Sequence, residues 1–227
     1  MPFPELAARV EEVRGRIAAA VTRGGHAQRV EIVAVTKTHG PDAVQAAWDV
    51  GLTNVGENRV QEALDKMPHV SVAVSWHLIG HLQRNKVKYL DHFALFHAID
   101  SRRLADAVHE HGAKRERPID ALVQLNVSGE ATKGGYSLDD VRRDAEHLRT
   151  LAGLRVRGVM TMAPFDAGEE LLREVFSGAR TGAAILREAG HDAVELSMGM
   201  SGDYEIAVEE GATLVRLGTI LFGARAA

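Results

Sequence analysis

Short apolar runs alternate with longer amphipathic segments along almost the whole chain. Eight runs rich in Val, Ile and Leu predict buried strands at residues 31–36, 53–56, 75–79, 95–98, 121–127, 155–160, 193–197 and 213–217. Segments with apolar residues every three or four positions predict helices at residues 5–22, 42–50, 59–66, 101–111, 137–151, 169–188 and 203–210. Apolar strands that alternate with helices are typical of a parallel sheet covered on both faces.

The number of strands decides between two architectures for such a sheet. Eight parallel strands close into a barrel, and 227 residues are enough for a compact (β/α)₈ unit. A doubly wound open sheet is the alternative, but it usually has fewer strands and would leave one or two apolar runs unexplained. No linker divides the chain. We therefore predict an α/β fold: a single (β/α)₈ TIM barrel over residues 1–227, with an extra N-terminal helix.

Composition and charge remove several classes of function. The 27 basic and 31 acidic residues are interspersed and give a formal charge of −4, so we expect no nucleic-acid partner. The absence of cysteine excludes disulfides, thiolate metal sites and cysteine nucleophiles, and it suits a cytoplasmic protein. No run of 18 apolar residues occurs, and the beginning of the chain does not resemble a signal peptide, so we expect no membrane association.

The first predicted strand delivers a lysine at its C-terminal end. The run Ile-Val-Ala-Val leads directly into Thr36 and Lys37. In a TIM barrel the active site lies at the C-terminal ends of the strands, so we expect Lys37 at the barrel mouth. Partial desolvation lowers the pKa of an amine and makes it a nucleophile toward carbonyl groups. Alternatively, the side chain reaches solvent or pairs with an acid such as Glu57.

The loops after the seventh and eighth strands contain small residues that suit an anion. Ser201 and Gly202 precede the predicted helix at 203–210, where free N–H groups and the helix dipole favour negative charge. Gly218 and Thr219 form a second small-residue loop of the same kind, after the next strand. Either loop alone could consist of turn glycines and an N-cap serine, but loops after strands seven and eight bind phosphate in many barrels.

A lysine that reaches a carbonyl, together with a phosphate site, meets the requirements of pyridoxal 5′-phosphate (PLP). The aldehyde would go to Lys37 and the phosphate to the two small-residue loops. A Schiff-base aldolase that acts on a sugar phosphate has the same two requirements. Local chemistry therefore does not separate these two hypotheses.

Longer ordered motifs resemble one protein family. They include VAVTKTHGPDAV, NVGENRVQEAL, WHLIGHLQRNKVKYL, LRVRGVMTMAP and LSMGMSGDYEIAVEEGATLVRLGTILFG. These motifs resemble the pyridoxal phosphate homeostasis proteins, whose bacterial members are also called YggS-like, and the resemblance runs from residue 5 to residue 225. It implies PLP as the cofactor and a barrel similar to the N-terminal domain of alanine racemase.

The resemblance also assigns roles to individual residues. Lys37 corresponds to the lysine that holds PLP as an aldimine, and Arg216 to an arginine that faces the pyridine nitrogen. The remaining matches are Ser201, Gly218 and Thr219 at phosphate-binding positions, Asn58, His77 and Met162 in the ring pocket, and Lys133 in a loop near the cofactor.

Whether such a protein is an enzyme depends on more than the cofactor. A guanidinium stays protonated, so Arg216 would keep the ring nitrogen unprotonated and the ring a weaker electron sink, although alanine racemases tolerate such an arginine. The two-domain relatives take a second acid/base and a substrate pocket from a C-terminal β-domain, which we do not expect here. We expect Tyr89, Tyr136 and Tyr204 to be packed or rim residues rather than catalytic acids.

The first hypothesis is therefore a protein without catalytic residues that holds PLP and takes part in its intracellular homeostasis and delivery. PLP-dependent apoenzymes would be the recipients, and we expect a monomer because the dimers of the relatives rely on the second domain. The alternatives are a minimal PLP-dependent racemase or decarboxylase, and a Schiff-base aldolase without the cofactor. A metal site at His77 and His81 ranks last, since no carboxylate lies at suitable spacing beside them, and we predict none.

Overall fold

A computed structural model of the protein describes residues 3–130 and 134–223. The strands are β1 (Glu31–Val35), β2 (Asn54–Glu57), β3 (Ser75–Leu78), β4 (Leu95–Ile99), β5 (Ile119–Leu125), β6 (Leu154–Thr161), β7 (Glu195–Ser197) and β8 (Leu214–Leu217). The α-helices are α1 (Leu6–Gly24), α2 (Pro41–Asp49), α3 (Val60–Lys66), α4 (Arg102–Lys114), α5 (Leu138–Thr150), α6 (Glu169–Glu188), α7 (Tyr204–Glu209) and α8 (Thr219–Phe222). Two 3₁₀ helices span Met67–His69 and Arg84–His92.

The eight parallel strands form a closed barrel in chain order, with β8 paired to β1. This confirms the predicted (β/α)₈ fold. The strands are apolar because both faces of the barrel wall are covered, and Ile32 to Val35 of β1 are all buried. All of β4 is buried as well, including His97 in its middle. Within the described residues, no helix is both long and apolar enough to span a membrane.

A bulge between β5 and β6 depends on a glycine. Val156 pairs with Ala121, whereas Gly158 pairs with Leu122, so β6 carries one extra residue at this point. Gly158 has a φ of 153°, and a Cβ built on it would lie 1.9 Å from the carbonyl oxygen of Glu195 on β7. A larger residue here would push β6 and β7 apart.

The predicted N-terminal helix is present as α1, and it packs against α7 and α8. Its buried residues recur every three or four positions: Leu6, Val10, Val13, Ile17 and Ala20. Two ion pairs lie at the edge of the contact between α1 and α7: Arg16 with Glu205 and Arg23 with Glu209. The helix therefore joins the beginning of the chain to the elements near its end.

Two helical features differ from the sequence prediction. The 3₁₀ helix Arg84–His92 was not expected because its only buried residues, Val87 and Leu90, are three apart, which matches the period of a 3₁₀ helix and not an amphipathic α-helix. Helix α4 continues to Lys114, past the predicted end at residue 111. Gly112 is needed because α4 lies very close to Gly153, and not because the helix ends there. A Cβ on Gly112 would lie 2.0 Å from the carbonyl oxygen of Gly153.

Candidate functional site

Lys37 lies in the turn between β1 and α2, at the mouth of the barrel. The His39 N–H closes this turn by donating to the Thr36 carbonyl at 3.1 Å. Thr38 adopts a φ of 68°, which is uncommon for a β-branched residue. The turn holds Lys37 half-buried between the buried Thr36 and the exposed Thr38. The position matches the sequence prediction, and strained backbone of this kind is concentrated at ligand sites.

A buried ion pair lies directly beneath this turn. Glu57 Oε1 accepts hydrogen bonds from the Thr36 hydroxyl at 2.6 Å and from Lys66 Nζ at 2.5 Å. Lys66 Nζ also donates to the Thr36 carbonyl at 2.9 Å. Burial raises the pKa of the Glu57 carboxyl, and the bonds from Lys66 and Thr36 oppose that rise. Glu57, suggested above as a partner for Lys37, is thus engaged by Lys66, whose burial at a helix end the sequence did not indicate.

The two loops predicted to bind phosphate meet in space. The Ile220 N–H, in the first turn of α8, donates to Ser201 Oγ at 3.3 Å and so joins the loop after β7 to the loop after β8. A Cβ on Gly218 would lie 3.5 Å from Val35, the last residue of β1. Gly202 faces open space, with nothing within 4 Å of a Cβ built on it, and Thr219 is exposed.

The ends of β7, β8 and β1 therefore converge at one part of the rim. Two of the four residues in the predicted phosphate loops, Gly218 and Thr219, follow β8, the strand adjacent in the wall to β1, which delivers Lys37. This arrangement follows from barrel closure, because β8 and β1 are far apart in sequence but paired through Ala34 and Leu217.

Arg216 of β8 is a buried cation inside the barrel. Its Nη1 donates to Ser197 Oγ at 2.7 Å, and its Nη2 donates to the Thr161 carbonyl at 2.9 Å. Burial lowers the pKa of Arg216 to about 10, and the charge of Asp203 opposes that fall, so the guanidinium stays protonated at neutral pH. Burial in turn raises the pKa of Asp203, whose Oδ1 accepts from the Met200 N–H at 2.6 Å.

His77, predicted in the ring pocket, lies within the barrel among other polar groups. Its Nδ1 is 2.9 Å from His97 Nε2, and its Nε2 is 3.3 Å from Oδ1 of Asn54, the first residue of β2. His97 Nδ1 lies 2.9 Å from Ser197 Oγ. Burial lowers the pKa of His77 to about 4 and that of His97 well below its ordinary value. Sequence reasoning missed His97, although a histidine inside the apolar run of β4 was a visible signal.

The other predicted ring-pocket residues lie at the ends of two different strands. Asn58 is exposed after β2, and its carbonyl oxygen would lie 2.2 Å from a Cβ on Gly80, so a glycine is required where the loops after β2 and β3 touch. Met162 follows β6 and is half-buried against the apolar core. Lys133 lies outside the described residues.

The tyrosines are packed as predicted, with Tyr136 and Tyr204 buried and Tyr89 partly buried against the core. Burial raises the pKa of both Tyr136 and Tyr204.

His81 lies on the rim, with Nδ1 2.7 Å from Asp100 Oδ2, so it and His77 have separate partners. The described part of the chain contains no group of three His, Asp or Glu side chains placed to hold a metal ion.

Comparison with known proteins first identifies the broad class of protein to which this chain belongs. Residues 11–226 match the family model of the alanine racemase N-terminal domain. The alanine racemase of Corynebacterium glutamicum has the same fold at 16% identity, with a TM-score of 0.72 over 93% of this chain and 61% of that chain. The family model and the shared fold thus place this chain among alanine racemase-like barrels.

Closer relatives narrow the class. The pyridoxal phosphate homeostasis protein of Aquifex aeolicus (strain VF5) is 38% identical over 221 residues, which cover 96% of this chain and 97% of that protein. The structure of PipY from Synechococcus elongatus PCC7942 with PLP bound is 32% identical, with a TM-score of 0.84 over 96% of this chain and all of that one. This chain belongs to the pyridoxal phosphate homeostasis protein family.

Proposed function

We propose that this protein binds PLP at the barrel mouth, where the Lys37 amine would hold the aldehyde carbon with loss of one water, and the loops after β7 and β8 would hold the phosphate. One observation carries the proposal: Ser201 and the start of α8 are hydrogen-bonded to each other, and Gly218 packs on the strand that delivers Lys37. The PLP-bound structure of PipY, a relative over nearly the full chain, supports it.

The residues fit the chemical groups of the cofactor. The open space at Gly202 and the exposed Thr219 leave room for a phosphate beside Ser201. The Arg216 guanidinium donates hydrogen bonds and never accepts them, so it suits the lone pair of an unprotonated pyridine nitrogen. Asn58 and Met162 are the side chains at the mouth that we assign to the ring. When bound, PLP supplies an aldehyde that reacts with amines and a ring that withdraws electrons.

We further propose that the protein stores and releases PLP without turning over an amino-acid substrate. Arg216 would keep the ring nitrogen unprotonated, which weakens the ring as an electron sink. Tyr136 and Tyr204 are buried and their pKa values are raised, so neither suits proton transfer to a substrate at the mouth. PLP-dependent apoenzymes are the proposed recipients, and we propose that the protein acts as a cytoplasmic monomer.

The first test is an absorption spectrum of the purified protein with added PLP, before and after borohydride. We expect a visible band that reduction removes while it fixes the cofactor on the peptide that contains Lys37. Lys37→Ala should lose the band, whereas Lys114→Ala, which removes an exposed lysine from α4, should keep it. The loaded protein should restore a PLP-dependent apoenzyme but should not racemise or decarboxylate amino acids.

Other outcomes would overturn specific parts of the proposal. A protein that stays colourless with added PLP would contradict cofactor binding and favour the aldolase hypothesis. A steady amino-acid turnover that Lys37→Ala abolishes would replace the carrier with a minimal PLP-dependent enzyme.

A further inference from the structure

An unbroken series of hydrogen bonds runs through the barrel interior from Arg216. Arg216 Nη1 is 2.7 Å from Ser197 Oγ, and Ser197 Oγ is 2.9 Å from His97 Nδ1. His97 Nε2 is 2.9 Å from His77 Nδ1. These four residues come from β8, β7, β4 and β3, so the series crosses the barrel from one wall to the opposite one. All four side chains are buried.

The series continues to the far end of the barrel. His77 Nε2 is 3.3 Å from Asn54 Oδ1, and Asn54 Nδ2 donates to Glu31 Oε2 at 2.6 Å. Asn54 and Glu31 are the first residues of β2 and β1, at the end opposite Lys37. Both line a cavity of about 370 Å³ that opens beside Arg29. One end of the series is thus a buried cation near the mouth, and the other is a carboxylate close to solvent.

With both imidazoles neutral, the chemistry of the far end fixes the direction of every bond between the histidines. An arginine only donates, so Ser197 Oγ accepts from Arg216, and its own hydrogen remains available to His97 Nδ1. His97 then carries its proton on Nε2 and donates it to His77 Nδ1. His77 likewise carries its proton on Nε2 and donates it to Asn54.

The opposite direction of donation is inconsistent with the hydrogen bond between Asn54 and Glu31 at the far end. It would require the Asn54 amide to donate to His77, and flipping that amide would turn its oxygen toward the Glu31 carboxylate at 2.6 Å. Two acceptors cannot share a hydrogen bond at that distance. In this direction a second proton on His77 would meet the Nε2 proton of His97, and a second proton on His97 would meet the hydroxyl hydrogen of Ser197. The series is therefore complete with both imidazoles neutral, the form that burial favours by lowering their pKa values.

We propose that Ser197, His97 and His77 are positioning residues for Arg216, which fix the orientation in which its guanidinium meets the ring nitrogen of PLP. The inference rests on the proposed function, because that function supplies PLP as the ligand of the buried Arg216. Ser197 holds one side of the guanidinium and the Thr161 carbonyl holds the other. The aligned bonds polarise one another, so the loss of one member weakens the rest.

Imidazole nitrogen NMR of the full chain tests the direction without any cofactor. With ¹⁵N-labelled histidine at pH 7, we expect both His77 and His97 to carry a proton on Nε2 and none on Nδ1. Addition of PLP should leave these protonation states unchanged. A proton on Nδ1 of His97, or a doubly protonated ring at pH 7, would overturn the proposal.

A pair of ligands tests the positioning role. The first is PLP, and the second is its carbocyclic analogue, in which a C–H group replaces the ring nitrogen. Ser197→Ala should weaken PLP about fivefold, the effect of one lost hydrogen bond, and should leave the affinity for the analogue unchanged. The matched control is Thr213→Val, which removes a hydroxyl that donates to Glu195 and accepts from the Leu196 N–H beside the same two strands, and it should affect neither ligand.

The outcomes separate this inference from the function on which it rests. If the unsubstituted protein binds neither ligand, the proposed function fails, while the nitrogen spectra still decide the direction of the series. If Ser197→Ala weakens both ligands equally, or neither, Ser197 has only a structural role and the positioning proposal is wrong. Should Ser197→Ala fail to fold, the nitrogen spectra of the unsubstituted protein remain the deciding measurement.

Discussion

At the scale of single residues, the turn that presents Lys37 rests on a buried charge pair. Glu57 is completely buried and Lys66 nearly so, and both are bonded to Thr36, the neighbour of Lys37. The second carboxylate oxygen of Glu57 is also buried and has no hydrogen-bond partner among the described atoms. Removal of one member of such a pair leaves an uncompensated charge in the interior, whereas removal of both can be nearly neutral.

We therefore predict that Lys66→Met destabilises the protein by about 3–5 kcal/mol at pH 7. The double variant Lys66→Met/Glu57→Gln should recover much of that loss, since the amide still accepts from the Thr36 hydroxyl and carries no charge. Urea unfolding of the four proteins in this cycle measures the coupling. A double variant as unstable as Lys66→Met alone would contradict the charge-pair account.

At the scale of elements, the candidate site is built from loops that a single hydrogen bond joins. Ser201 follows β7 and accepts from Ile220, which lies in α8 after β8. The hydroxyl that would contact phosphate thus also sets the distance between the two loops. A substitution at Ser201 acts on both loops at once.

Ser201→Ala should weaken PLP binding by about fivefold to tenfold, the effect of one or two lost hydrogen bonds. Pyridoxal, which lacks the phosphate, should bind the variant and the unsubstituted protein equally well. Titrations monitored by absorbance measure both affinities. Ser177→Ala, in which the lost hydroxyl donates to the Glu174 carbonyl within α6, serves as the control. Equal weakening of pyridoxal would place the phosphate elsewhere.

The sequence predicts elements well where burial is continuous and poorly where side chains from distant strands meet. All eight strands were predictable because parallel strands covered on both faces are uninterrupted apolar runs. Lys37 and the small-residue loops were predictable because a barrel puts strand ends at one rim. The bonds of His97 to His77 and to Ser197 were not, because sequence separations of 20 and 100 residues carry no local signal.

At the scale of the whole molecule, the buried histidines make stability depend on pH. His77 has a pKa of about 4 in the folded protein, below its ordinary value of 6.5, so the unfolded chain binds more protons in this range. The stabilisation is complete above pH 6.5 and is lost as the pH falls toward 4. His97 is shifted in the same direction by burial and by the charges of His77 and Arg216.

We predict that the free energy of unfolding falls by about 2 kcal/mol between pH 7 and pH 5 from His77 alone. His77→Gln should show a smaller fall over the same interval, whatever its absolute stability. Substitution of the exposed His92 by Gln should leave the pH dependence as it is. Urea unfolding at the two pH values provides the comparison. An unchanged slope in His77→Gln would mean that this imidazole is not held neutral.

Closure of the barrel also determines when the candidate site can assemble during translation. Among the described elements, α1 and β1 are made first, whereas their partners α7 and β8 are made after nearly all the others. The loops that meet at Ser201 and Ile220 belong to that last portion. A nascent chain consequently cannot bring Lys37 and the two proposed phosphate loops together until β8 and α8 have been made.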